Sequence, residues 1–486
     1  MRNKNYFNKQ LKIEMKKIYF LLLTIITLNV FSQNLTLDTS FGNNGIFLMN
    51  ENSKLWDVSN IIENADGSII LSTARINGTN PVENVVLKLN ANGTIDTSFG
   101  TNGYQVINVS VDNGLAIKKQ TDGKLILFGG DNNAKIIRLL PNGLLDSNFG
   151  INSEVILNGV RANNNYAGNT IIFQNDKILL LGRMNFSNDG VITRFNNDGT
   201  IDTTFGVNGF INNINSRHIF LDSIGNIVGI SGNSNVYKIE KFDSMGQIIN
   251  SFGTNGVLQV DIPFAFDEVL FAYMDNQNKI LVSSAGNNDA NSVFRISSDG
   301  TIDTTFTYNF NLFNHGIAAF QQNGTSYYLG GAKIYTNGDL NLFLSKINDS
   351  GSVDTTFNST GYYLESNSNI KSAQRIIFNT NNILVSGQYD DGTNKKVFVA
   401  KYKSNTLSTQ EIEKAKLVHI ENPVSSHLIY STKDNIEQIS LFSLDGKVIK
   451  TIYENNSDVS DLNPGIYIAE VKLKNGKSII TKLLKK

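Results

Sequence analysis

The nonapeptide Leu37–Gly45, LDTSFGNNG, keeps returning along the chain, and that recurrence limits the fold more than any other feature. It comes back as IDTSFGTNG at Ile95–Gly103 and IDTTFGVNG at Ile201–Gly209, with looser copies around Asp146, Phe252, Asp303 and Asp354. Phe41, Phe99, Phe149, Phe205, Phe252, Phe306 and Phe357 mark the copies, at successive gaps of 58, 50, 56, 47, 54 and 51 residues. A period near 50 residues means one supersecondary unit used again and again, each unable to cover its own apolar faces.

A second ladder fixes the register of the unit. Eleven residues before six of the phenylalanines stand Lys88, Arg138, Arg194, Lys241, Arg295 and Lys346. The offset is constant while the period drifts, so the intervening segment is rigid and the length variation sits elsewhere. Lys401 continues the basic ladder without a phenylalanine eleven residues on, and Phe41 has no basic partner upstream. One unit split between the two ends predicts a ring closed by pairing the first strand with the last.

Inside a repeat, four strand-like runs can be read: in the second, Tyr104–Val109, Leu115–Gln120, Lys124–Gly130 and Ala134–Leu140. Asp122-Gly123 and Asn142-Gly143 separate the later ones, supplying the positive-φ residues of tight hairpins. Helix signals are nearly absent. The expectation is an all-β, seven-bladed β-propeller of four-stranded blades, in which stacking around an axis covers the sheet faces and leaves short edges. Separate β-sandwiches would need about 100 residues each, twice the period.

The repeats resemble the delta-60 repeat of secreted bacterial proteins over about Leu35–Lys403, through the pattern D-[TS]-[STN]-F-G-x-N-G. Asp38, Phe41, Gly42, Asp96, Phe99, Gly100, Asp146, Phe149, Asp202, Phe205, Phe252, Asp303, Phe306, Asp354 and Phe357 carry it. Copies five to seven depart: Ile249-Asn250 replaces Asp-Thr, and Thr307 and Asn358 replace the glycine. The resemblance implies a shape and no activity.

The ends supply an address. Met15-Lys16-Lys17 before the apolar run Ile18–Val30, with small Ser32, reads as a secretory signal peptide too short to span a bilayer. Residues 1–14 add nothing to it, which places the true start at Met15. The expected organisation is a signal region over 1–33, the repeats over 34–404, a polar linker over 405–416 and a small β-sandwich over 417–486. Within the sandwich a pair of hairpins is expected, Ile436–Tyr453 and Ile466–Leu483. The tail, with Asn463, Pro464, Gly465, Tyr467, Lys482 and Lys485, resembles the C-terminal sorting domain of the type IX (Por) secretion system of Bacteroidetes. That resemblance implies the secretion machinery as a partner, and release or attachment at the outer cell surface.

Composition closes several routes. Formal net charge is −1, which leaves no footprint for nucleic acid. Cysteine is absent, excluding disulfides, thiol chemistry and thiolate metal sites. No HExxH, GxSxG or phosphate-binding loop occurs. No metal and no cofactor is expected, and no transmembrane anchor. The recurring Asp reads as an Asx-type turn, because calcium wants several converging carboxylates and each repeat offers one. The basic ladder reads as a rim ion pair with the Asp eight residues downstream, or else as a cationic lining of the channel.

A unique site should lie where the repeats differ. The polar insertions Ile76–Asn84 and Val160–Gly168 qualify, as does the aromatic stretch Phe306–Gly316 with Tyr308, Phe313 and His315. Phe264 and Phe266 add two more rings, and such rings with amides suit sugar or protein surfaces. The resulting expectation is a secreted or surface-bound, non-catalytic, adhesin-like module for a glycan or extracellular protein. An extracellular polysaccharide hydrolase or lyase is the second reading, and a structural envelope or matrix protein the third.

Overall fold

The computed structural model describes residues 34–50, 58–76, 82–109, 115–162, 170–187, 189–233, 236–261, 268–285, 292–308, 310, 314–379, 382–405, 418–432, 435–443, 446–474 and 478–486. The signal region, residues 406–416 of the linker, Phe264, Phe266 and Phe313 lie outside them. No helix occurs among the described residues. The chain divides into a repeat unit, Ser32–Ser404, and a second unit that holds the C-terminal strands.

The repeat unit is a chain-ordered series of antiparallel meanders. Sheet 1 comprises Val58–Glu63, Ile69–Ile76, Val82–Leu89 and Tyr104–Ile107. Sheet 2 comprises Ala116–Lys119, Leu125–Gly129, Ala134–Leu139 and Glu154–Leu157, and sheet 3 Ile171–Gln174, Lys177–Met184, Gly190–Phe195 and Phe210–Ile214. Val160–Ala162 also pairs with Lys177–Met184. Sheet 4 comprises His218–Leu221, Ile227–Asn233, Val236–Phe242 and Val257–Asp261. Sheet 5, joined to it by one bridge between Asn233 and Glu268, has Glu268–Met274, Ile280–Ala285 and Ser292–Ile296. Sheet 6 has His315–Asn323, Ser326–Ile334, Leu340–Ile347 and Tyr362–Leu364. Sheet 7 takes Ile370–Phe378, Asn382–Asp390 and Lys395–Asn405 from one end of the unit, and Asn34–Leu37 and Ile46–Leu48 from the other.

Successive sheets share apolar cores, which explains why the second strands are buried on both faces. Leu179 and Leu181 enter the core between sheets 3 and 4, whereas Leu180 enters the one between sheets 2 and 3. Seven such clusters can be followed among the described residues, one at each junction from sheets 1 and 2 to sheets 7 and 1. The innermost strand of sheet 7 neighbours that of sheet 1, as sheet 1 neighbours sheet 2. At this junction Phe41 and Met49 from the N-terminal segment join Val397 and Val399 against Ile69, Leu71 and Val85. Ile46, Phe47 and Leu48 pair with Ala400, Val399 and Phe398.

The C-terminal unit centres on a four-stranded sheet in the order Val448–Ile452, Ile436–Phe442, Gly465–Leu473 and Ser478–Lys485. Both of its expected hairpins are present as ladders. Two short ladders, Val418–Ile420 with Tyr430–Thr432 and His427–Leu428 with Ser457–Asp458, cover it. Its core gathers Leu428, Leu441, Val459, Ala469, Val471, Leu473 and Leu483. The Tyr467 hydroxyl donates to the Asn463 carbonyl at 2.9 Å, pinning the Asn463-Pro464-Gly465 corner.

Candidate functional site

The recurrent side chains build the joints between sheets. Arg138, Arg194 and Arg295 are almost fully buried, and each meets the Asp eight residues downstream: Asp146 at 2.8 Å, Asp202 at 2.9 Å and Asp303 at 2.8 Å. Lys88 and Lys346 do the same with Asp96 at 2.9 Å and Asp354 at 2.7 Å. The ladder cations Arg138, Arg194 and Arg295 lie over Phe149, Phe205 and Phe306 at 4.6, 4.4 and 4.8 Å, a cation–π arrangement. These side chains therefore face the joints rather than the axis. The other Asp oxygen turns the chain locally: Asp202 Oδ1 accepts the Thr204 amide at 3.2 Å and its hydroxyl at 2.6 Å. Burial raises the Asp202 and Asp303 carboxyls, but the Thr donors and the cations outweigh it and hold both at about 2.

Sequence reasoning missed a second cation. Lys124, Lys177 and Lys279, each just before or at the start of a second strand, approach Asp146, Asp202 and Asp303 at 3.4, 3.3 and 3.5 Å. The turn followed by lysine in DGK, NDK and NQNK was the available signal.

The motif glycine latches one sheet to the next. Gly100 N–H donates to Asn142 O and Gly150 N–H to Asp198 O, both at 2.8 Å, on the hairpin turn of the following sheet. Gly100 has φ +55°, and a Cβ there would stand 2.3 Å from the Tyr104 carbonyl oxygen, so glycine is obligatory. The latch at sheet 7 differs, since no further hairpin follows. Asn358 replaces the glycine, and its Oδ1 accepts the Leu35 N–H at 3.2 Å. Lys401 stands over the Phe41 ring at 5.9 Å, while Asp38 pairs with Lys403, two residues on, at 2.7 Å.

Against that regularity, the fifth copy of the motif stands out. Ile249 occupies the Asp position, and Lys241 turns instead to Asp222, on a hairpin of its own sheet, at 3.1 Å. Phe252 is only partly buried, whereas the phenylalanines of the first four copies are at most 1% exposed. A pocket of about 200 Å³ opens at this joint between sheets 4 and 5. Asp222, Lys241, Ser223, Asn278, Ser297 and Ser298 give it polar groups; Ile224, Val228, Phe252, Met274 and Ile280 give it apolar wall. Several polar groups are fixed: Asn278 Oδ1 accepts the Ser223 N–H at 2.8 Å and its Nδ2 donates to Ser223 Oγ at 2.9 Å. Ile224 projects at the rim, 80% exposed. Such a pocket offers a charged pair, amide and hydroxyl donors, and one aromatic face.

Other candidates fall elsewhere. Tyr308 and His315 meet, hydroxyl to Nε2, at 2.6 Å, but within the core between sheets 5 and 6 beside Phe310 and Phe343. His315 is 5% exposed and Tyr308 partly buried, and burial pushes the Tyr308 phenol upward. Phe264, Phe266 and Phe313 are outside the described residues, as are segments of both polar insertions. A shallow crevice of about 830 Å³ lies at the junction of sheets 7 and 1, bordered by Glu63, Asn64, Asp66, Asn379, Asn382 and Lys401. Among the described residues no group of three His, Asp or Glu could hold a metal, and no helix is long and apolar enough to cross a membrane.

Comparison with known proteins gives two family matches. Residues 422–486 match the secretion system C-terminal sorting domain. Residues 64–99, 120–149, 174–205 and 278–306 match a β-propeller domain of unknown function, DUF5122. No curated protein matches the chain. Among solved structures, the extracellular domain of a hybrid two-component system from B. thetaiotaomicron is 12% identical, with 88% of this chain and 72% of that one covered and a TM-score of 0.23. The polysaccharide lyase Uly1 is 9% identical over 74% of this chain and 98% of that one, with a TM-score of 0.43. A quinonprotein alcohol dehydrogenase-like protein from Bacteroides thetaiotaomicron VPI-5482 is 13% identical over 61% and 64%, with a TM-score of 0.35. At these TM-scores the three assign no chemistry to this chain. Its repeats and its tail do identify it: this is an exported β-propeller protein with a type IX sorting domain at its C-terminus.

Proposed function

We propose that the repeat unit is a seven-bladed ring, over residues 34–404, that works outside the cell as a non-catalytic binding module. In this reading residues 1–33 are the export signal, 405–416 a linker, and 417–486 the domain read by the secretion machinery. The observation that carries the binding role is the pocket beside Phe252, because it opens where the repeated Asp is missing. Its mixture of fixed amide and hydroxyl groups with a partly open aromatic face suits a sugar unit or a short polar segment of an extracellular protein. Phe264, Phe266 and Phe313, outside the described residues, and Tyr308 and His315 belong to the same proposal as ligand-binding side chains.

The test is binding of the purified chain to arrays of glycans and extracellular matrix proteins. Saturable binding is expected, and it should be lost in Ile224→Asp combined with Ser298→Lys, which alters the rim and spares the Lys241–Asp222 pair. Binding that survives this double change would move the site elsewhere, and a folded chain that binds nothing would overturn the module. Turnover of any polysaccharide on the array would favour the hydrolase or lyase reading.

A further inference from the structure

The junction of sheets 7 and 1 holds a second polar feature, deeper than the crevice at its rim. The polar side chains buried on Ile370–Phe378 and Asn382–Asp390 include Ser372 at 4% exposure, Gln374 at 6%, Ser386 at 0% and Gln388 at 5%. Among the described residues, Ser372 Oγ, Ser386 Oγ and Gln388 Nε2 find no hydrogen-bond partner. Leaving such groups unmade is costly, and buried polar atoms in folded proteins are overwhelmingly satisfied. Three together require a common explanation.

The register brings them to one face. Ser372 lies opposite Gln388, and Arg375 opposite Ser386, because an extra residue, Gln374, resets the alternation between Ala373 and Arg375. Opposed side chains in such a ladder stand about 5 Å apart at Cβ. Leu384, two residues before Ser386, packs into the core shared with sheet 1, so Ser386 and Gln388 point toward sheet 1 as well. Val397 and Val399, paired with Gln388 and Ser386, form the apolar floor. Carboxylates on these two strands and the facing first two strands of sheet 1 stand only at the ends, Glu63 and Asp390, and Asp390 already accepts the Gly392 N–H at 2.9 Å.

Each of the three atoms can donate, through two hydroxyls and an amide NH2, and the guanidinium beside them only donates. Burial pulls Arg375 down to about 10, so it is still a cation at neutral pH. After burial itself, the positive charges of Arg217 and Arg375 are what push His218 of sheet 4 down to about 3. Arg375 and His218 each stand on the first strand of their own sheet, and Arg375 keeps part of its surface exposed.

We propose that Ser372, Ser386, Gln388 and Arg375 form a binding site for a carboxylate group. The donors match an acceptor-only ligand, and the cation supplies the charge a neutral sugar could not use. This site is separate from the pocket beside Phe252 and stands or falls independently of it.

The experiment is calorimetric titration of the full chain with sodium glucuronate, sodium acetate, sodium phosphate and glucose at constant ionic strength. Saturable binding of glucuronate and acetate at one site is expected, without binding of glucose. Ser372→Ala combined with Ser386→Ala should weaken it at least tenfold, and Arg375→Gln should abolish it. The double alanine chain should melt no lower than the parent, since it removes two unmet polar groups; this separates lost binding from lost folding. Absence of carboxylate binding, as for a cluster that holds only water, overturns the proposal. So does phosphate binding in preference to carboxylate, or undiminished binding by the double variant.

Discussion

Arg194→Met is the sharpest test of the joints. The guanidinium donates to Asp202 at 2.9 Å, Gln174 Oε1 at 2.8 Å and the Ser244 carbonyl at 2.6 Å, and lies 4.4 Å from the Phe205 centroid. Methionine keeps much of the volume and removes all four contacts. Taking one partner from a buried ion pair costs about 3–5 kcal/mol. Lys177, 3.3 Å from the stranded Asp202, moves this site to the lower end, about 3 kcal/mol. For a unit of roughly 370 residues, unfolding entropy near 2.1 cal/mol/K per residue gives about 0.8 kcal/mol/K. The midpoint should therefore fall by about 4 °C in calorimetry if the repeat unit melts as one.

The acid limb supplies a second readout. Asp202 sits at about 2 against an ordinary 3.8, so its contribution is complete above 3.8 and lost as pH falls toward 2. With Arg194 gone the Asp202 carboxyl moves back toward 3.8, so that loss should be smaller and complete at higher pH. A melting point within 1 °C of the parent, together with an unshifted acid limb, would refute the claim that the buried pair holds the joint.

Phe41→Ala should cost about 3–5 kcal/mol, as Phe205→Ala should, because both rings are buried in equivalent joints; chemical denaturation compares them, and a silent Phe41 would argue against a closing joint of equal strength. His218 is fully buried, with its pKa at about 3 against 6.5, so it stabilises the fold above 6.5 and progressively less as pH falls toward 3. His218→Leu should flatten that stretch of the stability–pH curve, and an unchanged slope there would show that the imidazole is solvated in the folded state.

What the sequence revealed was whatever repeats. The fixed spacing between Arg194 and Phe205 located strand, turn and ring together, and the unmatched Phe41 and Lys401 pointed to each other across the chain. What it concealed depends on which surfaces meet. Asp222 serving Lys241 could not be read, because the two are brought together only by the pairing of successive strands in sheet 4. The burial of His315 was hidden for the opposite reason. An aromatic-rich stretch looks alike in a core and on a surface, and only the Phe310 and Phe343 rings around it decide. Likewise the placing of Ser372 and Arg375 on one face of their strand depends on a register shift between Ala373 and Arg375 that the residue pattern does not show.

The splicing of Ile46–Leu48 onto Lys395–Asn405 has a consequence in time. The N-terminal strand is synthesised early, yet its partner is the last strand made before the sorting tail. Until the ribosome passes Asn405, the leading strand has an open edge, the kind that recruits other chains. A product cut short anywhere upstream would keep that edge and lack the tail as well. Completion of sheet 7 and possession of the sorting tail are therefore lost together, so truncated chains are both sticky and undeliverable.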